Sequence, residues 1–126
     1  MKRALTAVLV LLVSVSAAFG QCKTQRNYVI GFYNLENLFD IYDDPAKNDE
    51  EFLPDGKNKW TEAKYNKKQH NMARVISEMA RANGRYHTIL GVSEIENRLV
   101  LEDLVSQPEI ADANYQIVHY DGPDRR

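Results

Sequence analysis

Two apolar segments of the chain end in amide or carboxylate side chains that could bind a metal ion. The first runs from Tyr28 to Asn34, and the second runs from Thr88 to Glu94. Both are rich in β-branched and aromatic residues, which is typical of buried strands. Such strands deliver polar side chains to the rim of a sheet, where ligands often bind. A neutral oxygen donor and an anionic one on neighbouring strand ends would form half of a site for Mg²⁺, which prefers oxygen ligands and few carboxylates.

The residues between these two segments predict a long loop and then a helix. Residues 41–59 are rich in Asp, Asn, Lys, Pro and Gly, which indicates a surface loop. A loop of this length is unusual in a compact domain unless it covers a site. Apolar residues then recur with helical spacing, which predicts a helix. Thr61 is the predicted N-cap of this helix, and Asn83 and Gly84 end it. This helix is predicted to cross over the sheet and connect the first strand, Tyr28 to Tyr33, to the second.

A second helix and a third strand are predicted after Glu94. Residues 98–105 have a helical apolar pattern, and Pro108 stops that helix. Residues 115–120 read as a strand that runs into a turn at residues 121–124. The order of strand, long loop, helix, strand, helix and strand places the chain in the α/β class.

Several other polar residues are predicted to be structural rather than catalytic. The acidic run at residues 49–51 is interpreted as a solvated face, because charge runs rarely form metal clusters. His70 and His87 have no cysteine or second histidine at ligand spacing, which favours surface or packing roles. Glu96 and Asn97 directly precede the second helix and are interpreted as helix-start residues.

Residues 1–20 have the pattern of a cleaved signal peptide. A positively charged start precedes an apolar stretch that is short for a membrane span and that ends in small residues. Cleavage would leave Gln21 as the first residue, with a polar lead-in over residues 21–27 and no stable membrane span. The protein is therefore expected in the periplasm or outside the cell. A retained membrane anchor is the alternative, as is a lipoprotein modified at Cys22, which Gln21 disfavours.

Composition and charge are those of an ordinary soluble domain. The chain is 27% charged and 44% hydrophobic, with a formal net charge of -2. A protein that holds long nucleic acids by bulk electrostatics needs a basic stripe, which this balance argues against. A nuclease whose metal attracts the phosphate locally is still compatible with this charge. Small phosphoesters and lipid headgroups are equally compatible as substrates. The single cysteine excludes an intramolecular disulfide, and the sequence indicates no partner protein.

The polar motifs occur in an order that is similar to that of a known family. They are Asn34-Leu-Glu-Asn-Leu-Phe-Asp40, Trp60-Thr61 with Tyr65 and Lys68, Glu94-Ile-Glu-Asn97 and Tyr120-Asp-Gly-Pro-Asp-Arg125. Together they resemble the start of the endonuclease/exonuclease/phosphatase family, and most closely its secreted bacterial branch, over residues 28–126. The resemblance implies a four-layer α/β sandwich, in which two packed sheets are flanked by helices, and this chain would be the N-terminal portion of it.

The resemblance also implies an activity and a set of site residues. Family members are phosphoesterases that use Mg²⁺ or Mn²⁺, and the substrate here would be a phosphodiester or phosphomonoester, including nucleic acid or a nucleotide. Glu94 would bind the metal, Asn34 would be a second metal-site residue that orients metal-bound water or phosphate, and Glu36 would be a further metal-site residue. Arg125 would contact the substrate phosphate. A secreted, non-catalytic binding or scaffold protein that keeps the fold is the alternative.

The same resemblance implies that the domain is incomplete. The family's Asp-paired histidine base and its later Asp-x-Asn pair have no counterpart in these residues, and Arg126 is interpreted as an interruption. We therefore expect the chain alone to be inactive and only marginally folded.

Overall fold

The computed structural model describes residues 26–123. The predicted signal peptide, Cys22 and Arg125 therefore lie outside the described residues. Two strands and two helices follow one another as β1 (Ile30–Leu38), α1 (Glu62–Ala82), β2 (Ile89–Ile95) and α2 (Arg98–Val105). Short 3₁₀ helices lie at Glu50–Phe52 and Ala111–Ala113. The α/β class is confirmed, and the four-layer sandwich stays a prediction.

The two strands form a parallel pair, which requires a crossover connection. Helix α1 lies in that connection, as predicted from the sequence. The ladder is regular from Ile30 opposite Ile89 to Asn34 opposite Ser93, and it resumes only at Leu38 opposite Ile95. Strand β1 therefore does not end at Tyr33 as predicted, because the chain passes through an irregularity after Asn34 and then pairs again.

One stripe of α1 forms the centre of the core. Its buried residues are spaced three or four apart, as expected for one face of a helix: Tyr65, Gln69, Ala73, Ile76 and Ala80. Tyr65, Ala73 and Ile76 of this stripe belong to one cluster with Leu35 and Leu38 of β1 and with the buried apolar side chains of α2. The helix begins after Thr61 and ends at Asn83, and Gly84 follows with a left-handed φ of 71°. Both predicted ends of the helix are confirmed.

Helix α2 spans the residues that the sequence predicted. Its N-cap is Asn97, whose side chain accepts a hydrogen bond from the Val100 amide at 3.2 Å. Val100, Leu101 and Leu104 are buried toward the core. A short apolar helix of this kind is stabilised mainly by that packing.

The predicted third strand is wrong for the described structure. Residues 115–120 alternate between partly buried and exposed side chains, which is the period that suggested a strand. They form no strand, however. A groove of about 740 Å³ lies between β2 and residues 113–118, which line its two sides. Alternation sets which side chains face inward, whereas a ladder also needs a partner edge within hydrogen-bonding distance.

The face of the sheet that points away from the helices is apolar and exposed. Ile30 and Phe32 of β1 and Ile89 of β2 are more than half exposed in the part of the chain that is described. The helices thus cover one face of the strand pair only. Among residues 26–123, none of the helices combines the length and the apolar character that crossing a membrane requires.

Candidate active site

The candidate metal-binding residues Asn34 and Glu94 are in direct contact. The side-chain nitrogen Nδ2 of Asn34 donates a hydrogen bond to Oε1 of Glu94 at 2.8 Å, and both residues are exposed. On its other side, Oδ1 of Asn34 accepts the backbone amide of Glu36 at 2.7 Å. The structure therefore brings Asn34 and Glu94 together, and Glu36 joins them through its backbone.

Left-handed backbone makes this contact possible. Asn34 is paired with Ser93, so Glu94 of a regular β2 would point to the opposite face of the sheet. Glu94 instead has a φ of 57°, and Glu36 and Asn37 have φ values of 52° and 57°. A left-handed residue other than glycine costs roughly 1–2 kcal/mol. Such strain tends to concentrate at functional sites, where surrounding contacts maintain it.

Lys68 provides some of those contacts from helix α1. Its Nζ donates to the backbone oxygens of Glu36 at 2.5 Å and of Asn37 at 3.1 Å. The same nitrogen lies 5.6 Å from the centroid of the Trp60 ring. Burial lowers the pKa of Lys68, while the carboxylates of Glu36 and Glu94 act in the opposite direction. The sequence pointed to Lys68 only as one residue of the family resemblance and did not predict these bonds.

Three buried carboxylates lie next to the site. Asp40, Asp49 and Glu96 are each at most 6% exposed. The Asp40 amide donates to Oε2 of Glu96 at 2.9 Å, and Oδ2 of Asp49 accepts the Asp44 amide at 3.0 Å. The remaining oxygens, Oε1 of Glu96 and Oδ1 of Asp49, are buried without a hydrogen-bond partner. Burial, reinforced by the nearby charges of Asp40 and Asp49, raises the pKa of Glu96 to about 7.

The burial of Asp49 corrects the prediction that residues 49–51 form a solvated face. Glu50 and Glu51 are exposed as predicted, but Asp49 is only 2% exposed. The 3₁₀ helix that follows Asp49 carries Phe52, whose ring stacks on Phe39 with centroids 4.0 Å apart. This stacking anchors the loop to the end of β1 and encloses Asp49, an effect that local composition does not reveal.

Asn97 connects the start of α2 to the same group of carboxylates. While its Oδ1 caps the helix, its Nδ2 donates to Oδ2 of Asp40 at 2.8 Å. The helix-start interpretation is therefore confirmed for Asn97. Glu96 precedes the cap, and its side chain is buried beside Asp40 and Asp49 instead.

Glu94 lies on the wall of an open cleft of about 380 Å³. The cleft is bounded by the ends of both strands, the long loop and residues 119–122. Its lining includes two basic residues, Lys47 and His119. The space is therefore adjacent to the candidate metal ligand and accessible to a small phosphoester.

The donor set suits a hydrated Mg²⁺ better than a metal enclosed by protein ligands. Within residues 26–123, no group of three or more His, Cys, Asp or Glu side chains is arranged to hold a metal ion. Magnesium in proteins commonly binds one or two carboxylates and keeps several waters. An exposed Glu94 with one oxygen held by Asn34 fits the chemistry of such an ion and would supply one of its ligands.

His70 has the surface role and His87 the packing role that the sequence predicted. Nδ1 of His70, which is exposed, lies 2.7 Å from Oε1 of Glu109. His87 is buried, and its ring packs so closely on the backbone of Gly31 that a Cβ at that position would lie 2.6 Å from its Cδ2 atom. Neither side chain lines the cleft that contains Glu94.

Comparison with known proteins supports the sequence resemblance. The model of the endonuclease/exonuclease/phosphatase family matches residues 29–126. Comparisons with curated proteins and with solved structures each find no match. The family match covers more than half of the chain and includes both strands that carry Asn34 and Glu94. The chain therefore belongs to the endonuclease/exonuclease/phosphatase family.

Proposed function

We propose that this protein is a divalent-metal-dependent phosphoesterase with Glu94 as its metal-binding carboxylate and Asn34 as the residue that orients it. Family membership suggests a hydrolase of the phosphoesterase or nuclease type. The observation that carries the metal proposal is the 2.8 Å bond between Asn34 and Glu94 beside the cleft. The substrate class is a phosphodiester or phosphomonoester, which includes nucleic acids and nucleotides.

Each residue has a distinct part in this proposal. When bound, Mg²⁺ or Mn²⁺ would draw charge off a phosphoryl oxygen of the substrate. Glu94 supplies negative charge, and Asn34 fixes one carboxylate oxygen so that the other is available to an ion. Glu36 adds an exposed carboxylate from the same turn. The proposed contact between Arg125 and the substrate phosphate rests on the family resemblance.

The described residues supply the metal-binding part of the site rather than the base. Within residues 26–123, His70 is paired with Glu109, and no histidine is bonded to an aspartate. A general base must lie within hydrogen-bonding reach of the water that it activates. We propose that the base lies outside residues 26–123, and that the 126-residue chain binds metal without turnover.

The metal-binding part of the proposal predicts that Glu94→Gln weakens binding of Mn²⁺ by about tenfold or more, because the variant loses the anionic ligand. Electron paramagnetic resonance of free Mn²⁺ during titration of the purified protein measures this. Glu78→Gln is the matched control, since Glu78 is an exposed glutamate on α1. Equal affinity in the wild type and in Glu94→Gln would remove Glu94 from the site.

Hydrolysis of bis-p-nitrophenyl phosphate with Mg²⁺ tests the activity in the protein translated from the complete reading frame. We expect Glu94→Gln to abolish most of this activity and Asn34→Ala to reduce it less. Metal binding without hydrolysis in that protein would favour the non-catalytic binding or scaffold alternative.

We further propose that the protein is exported. The proposal rests on the signal-peptide pattern of residues 1–20. The intact mass of the exported protein should correspond to a chain that begins at Gln21. A mass that includes Met1, or one that shows a lipidated Cys22 as the first residue, would contradict this.

A further inference from the structure

The interruption in β1 leaves two consecutive residues with left-handed backbone next to the candidate metal site. Ladder pairing stops after Asn34 and resumes at Leu38, and Glu36 and Asn37 lie in the gap. Within this turn the Asn37 carbonyl oxygen accepts the backbone amide of Phe39 at 3.1 Å. Backbone oxygens that leave a regular ladder take hydrogen bonds from other donors, and here a side chain from helix α1 supplies such bonds.

Lys68 is the side-chain donor to both residues of the turn. Its ammonium bonds the carbonyl oxygens of Glu36 and Asn37 at once, from a helix more than thirty positions away in the sequence. Hydrogen bonds from a charged donor are roughly twice as strong as neutral ones. The Trp60 ring at 5.6 Å adds a cation–π contact to the same nitrogen. Lys68 is partly buried, whereas its neighbour Lys67 is exposed.

The turn held by Lys68 is connected to the candidate metal ligand by two further bonds. The Glu36 amide donates to Oδ1 of Asn34, and Nδ2 of Asn34 donates to Glu94. A change in the backbone at Glu36 would remove the bond that fixes the Asn34 amide. The orientation of Glu94 therefore depends on Lys68 through a continuous chain of contacts.

We propose that Lys68 is a positioning residue for the metal site: its ammonium holds the left-handed turn at Glu36 and Asn37, which keeps Asn34 bonded to Glu94. The inference rests on the proposed function, because it assigns the metal site to Glu94 and Asn34. Lys68 touches neither of these two side chains in the structure and acts through the turn.

Three variants of the purified protein test the proposal. Lys68→Met removes the charge and the donors at similar length, Lys68→Arg keeps a charged donor, and Lys67→Met is the matched control on the same helix. Two quantities are measured for each: the hydrogen-exchange rate of the Glu36 amide by NMR, and the affinity for Mn²⁺ by electron paramagnetic resonance. Urea unfolding of each variant shows whether it is folded under the conditions used.

In Lys68→Met we expect exchange of the Glu36 amide to be at least about tenfold faster and Mn²⁺ binding to be at least about tenfold weaker than in the wild type. Lys68→Arg should restore most of the wild-type exchange rate and Mn²⁺ affinity, and Lys67→Met should match the wild type in both. If Lys68 were purely structural, its substitution would lower stability without a selective change in the exchange of the Glu36 amide. If Lys68→Met does not fold, the comparison of Lys68→Gln with Lys68→Arg gives the same test.

The result separates this proposal from the proposed function. If the wild type binds Mn²⁺ and folded Lys68→Met binds it equally well, Lys68 is not a positioning residue and the metal site stands. If Mn²⁺ affinity falls while Glu36 exchange is unchanged, the proposed route through the turn is wrong. If the wild type binds no Mn²⁺, the proposed function fails, and unchanged Glu36 exchange in Lys68→Met would then overturn the positioning of the turn independently.

Discussion

At the scale of single residues, Glu96 and Asp49 form an unusual contact between two acids. Each has one buried carboxylate oxygen with no hydrogen-bond partner. Two ionised carboxylates in this position would repel each other and would both lack hydration. A protonated Glu96 could instead donate to Asp49, in agreement with the rise of its pKa to about 7. A neutral Glu96 would thus tether the long loop to the end of β2.

This contact predicts that stability falls as the pH rises. Between about pH 4.5 and pH 7 the unfolded chain ionises at Glu96 while the folded protein keeps its proton, so the folded state loses free energy relative to the unfolded state. At about 1.4 kcal/mol for each unit of pKa difference, the loss is on the order of 3–4 kcal/mol. Below this range Glu96 is protonated in both states, and above it Glu96 is ionised in both, so its contribution stops changing.

Urea unfolding at a series of pH values measures the effect. In Glu96→Gln the side chain is neutral throughout, so the free energy of unfolding should no longer fall by this amount between about pH 4.5 and pH 7. The exposed control Glu102→Gln should keep this pH dependence. The same slope in the wild type and in Glu96→Gln would show that Glu96 is ionised in the folded protein.

At the scale of elements, the junction between β2 and α2 combines a helix cap with a tertiary contact. Oδ1 of Asn97 satisfies the Val100 amide at the start of the helix, and its Nδ2 satisfies Oδ2 of Asp40. Asp40 in turn donates its backbone amide to Glu96. One asparagine side chain therefore fixes the first turn of α2 against the end of β1.

Two substitutions of Asn97 separate these roles. Asn97→Ala removes both bonds, and loss of a cap alone typically costs about 0.5–2 kcal/mol. Asn97→Asp keeps an acceptor for Val100 but replaces the donor to Asp40 with a second negative charge. We expect Asn97→Asp at pH 7 to be at least as destabilised as Asn97→Ala when both are measured by urea unfolding. Stability close to the wild type in Asn97→Asp would mean that only the cap matters.

At the scale of the whole molecule, the two faces of the sheet have different environments. The face toward the helices contains Leu35 and Leu38, which are both 0% exposed. The other face exposes Phe32 at 69% and Ile30 at 73% in the described part of the chain. Contiguous exposed apolar surface favours association or aggregation. The open edge of β2, beside the groove, adds backbone groups that could pair with another chain.

This asymmetry predicts opposite results for two residues of the same strand. Phe32→Ser should reduce concentration-dependent association in sedimentation velocity and change stability little, since its ring is already largely in water. Leu35→Ala should cost about 2–5 kcal/mol, because it removes a fully buried side chain. A loss of stability in Phe32→Ser as large as that in Leu35→Ala would indicate that this face is covered in solution.

The sequence by itself determined the features that depend on local pattern. Helical periodicity and end signals located both helices, including Asn97 as a helix-start residue, because these signals lie within a few neighbouring residues. The apolar runs before Asn34 and Glu94 located both strands for the same reason. The family could also be predicted, since its motifs are short and ordered along the chain.

Only the tertiary structure decided which distant groups meet. The bond between Asn34 and Glu94 joins residues sixty positions apart and depends on the left-handed backbone at Glu94, which no periodicity encodes. The bonds of Lys68 to two carbonyls and the burial of Asp49 likewise follow from how the helix and the loop pack against the strand ends. The failure of residues 115–120 to form a strand has the same origin. Local sequence sets the face that a side chain prefers, whereas ladder partners and long-range polar contacts are set by the packing of whole elements.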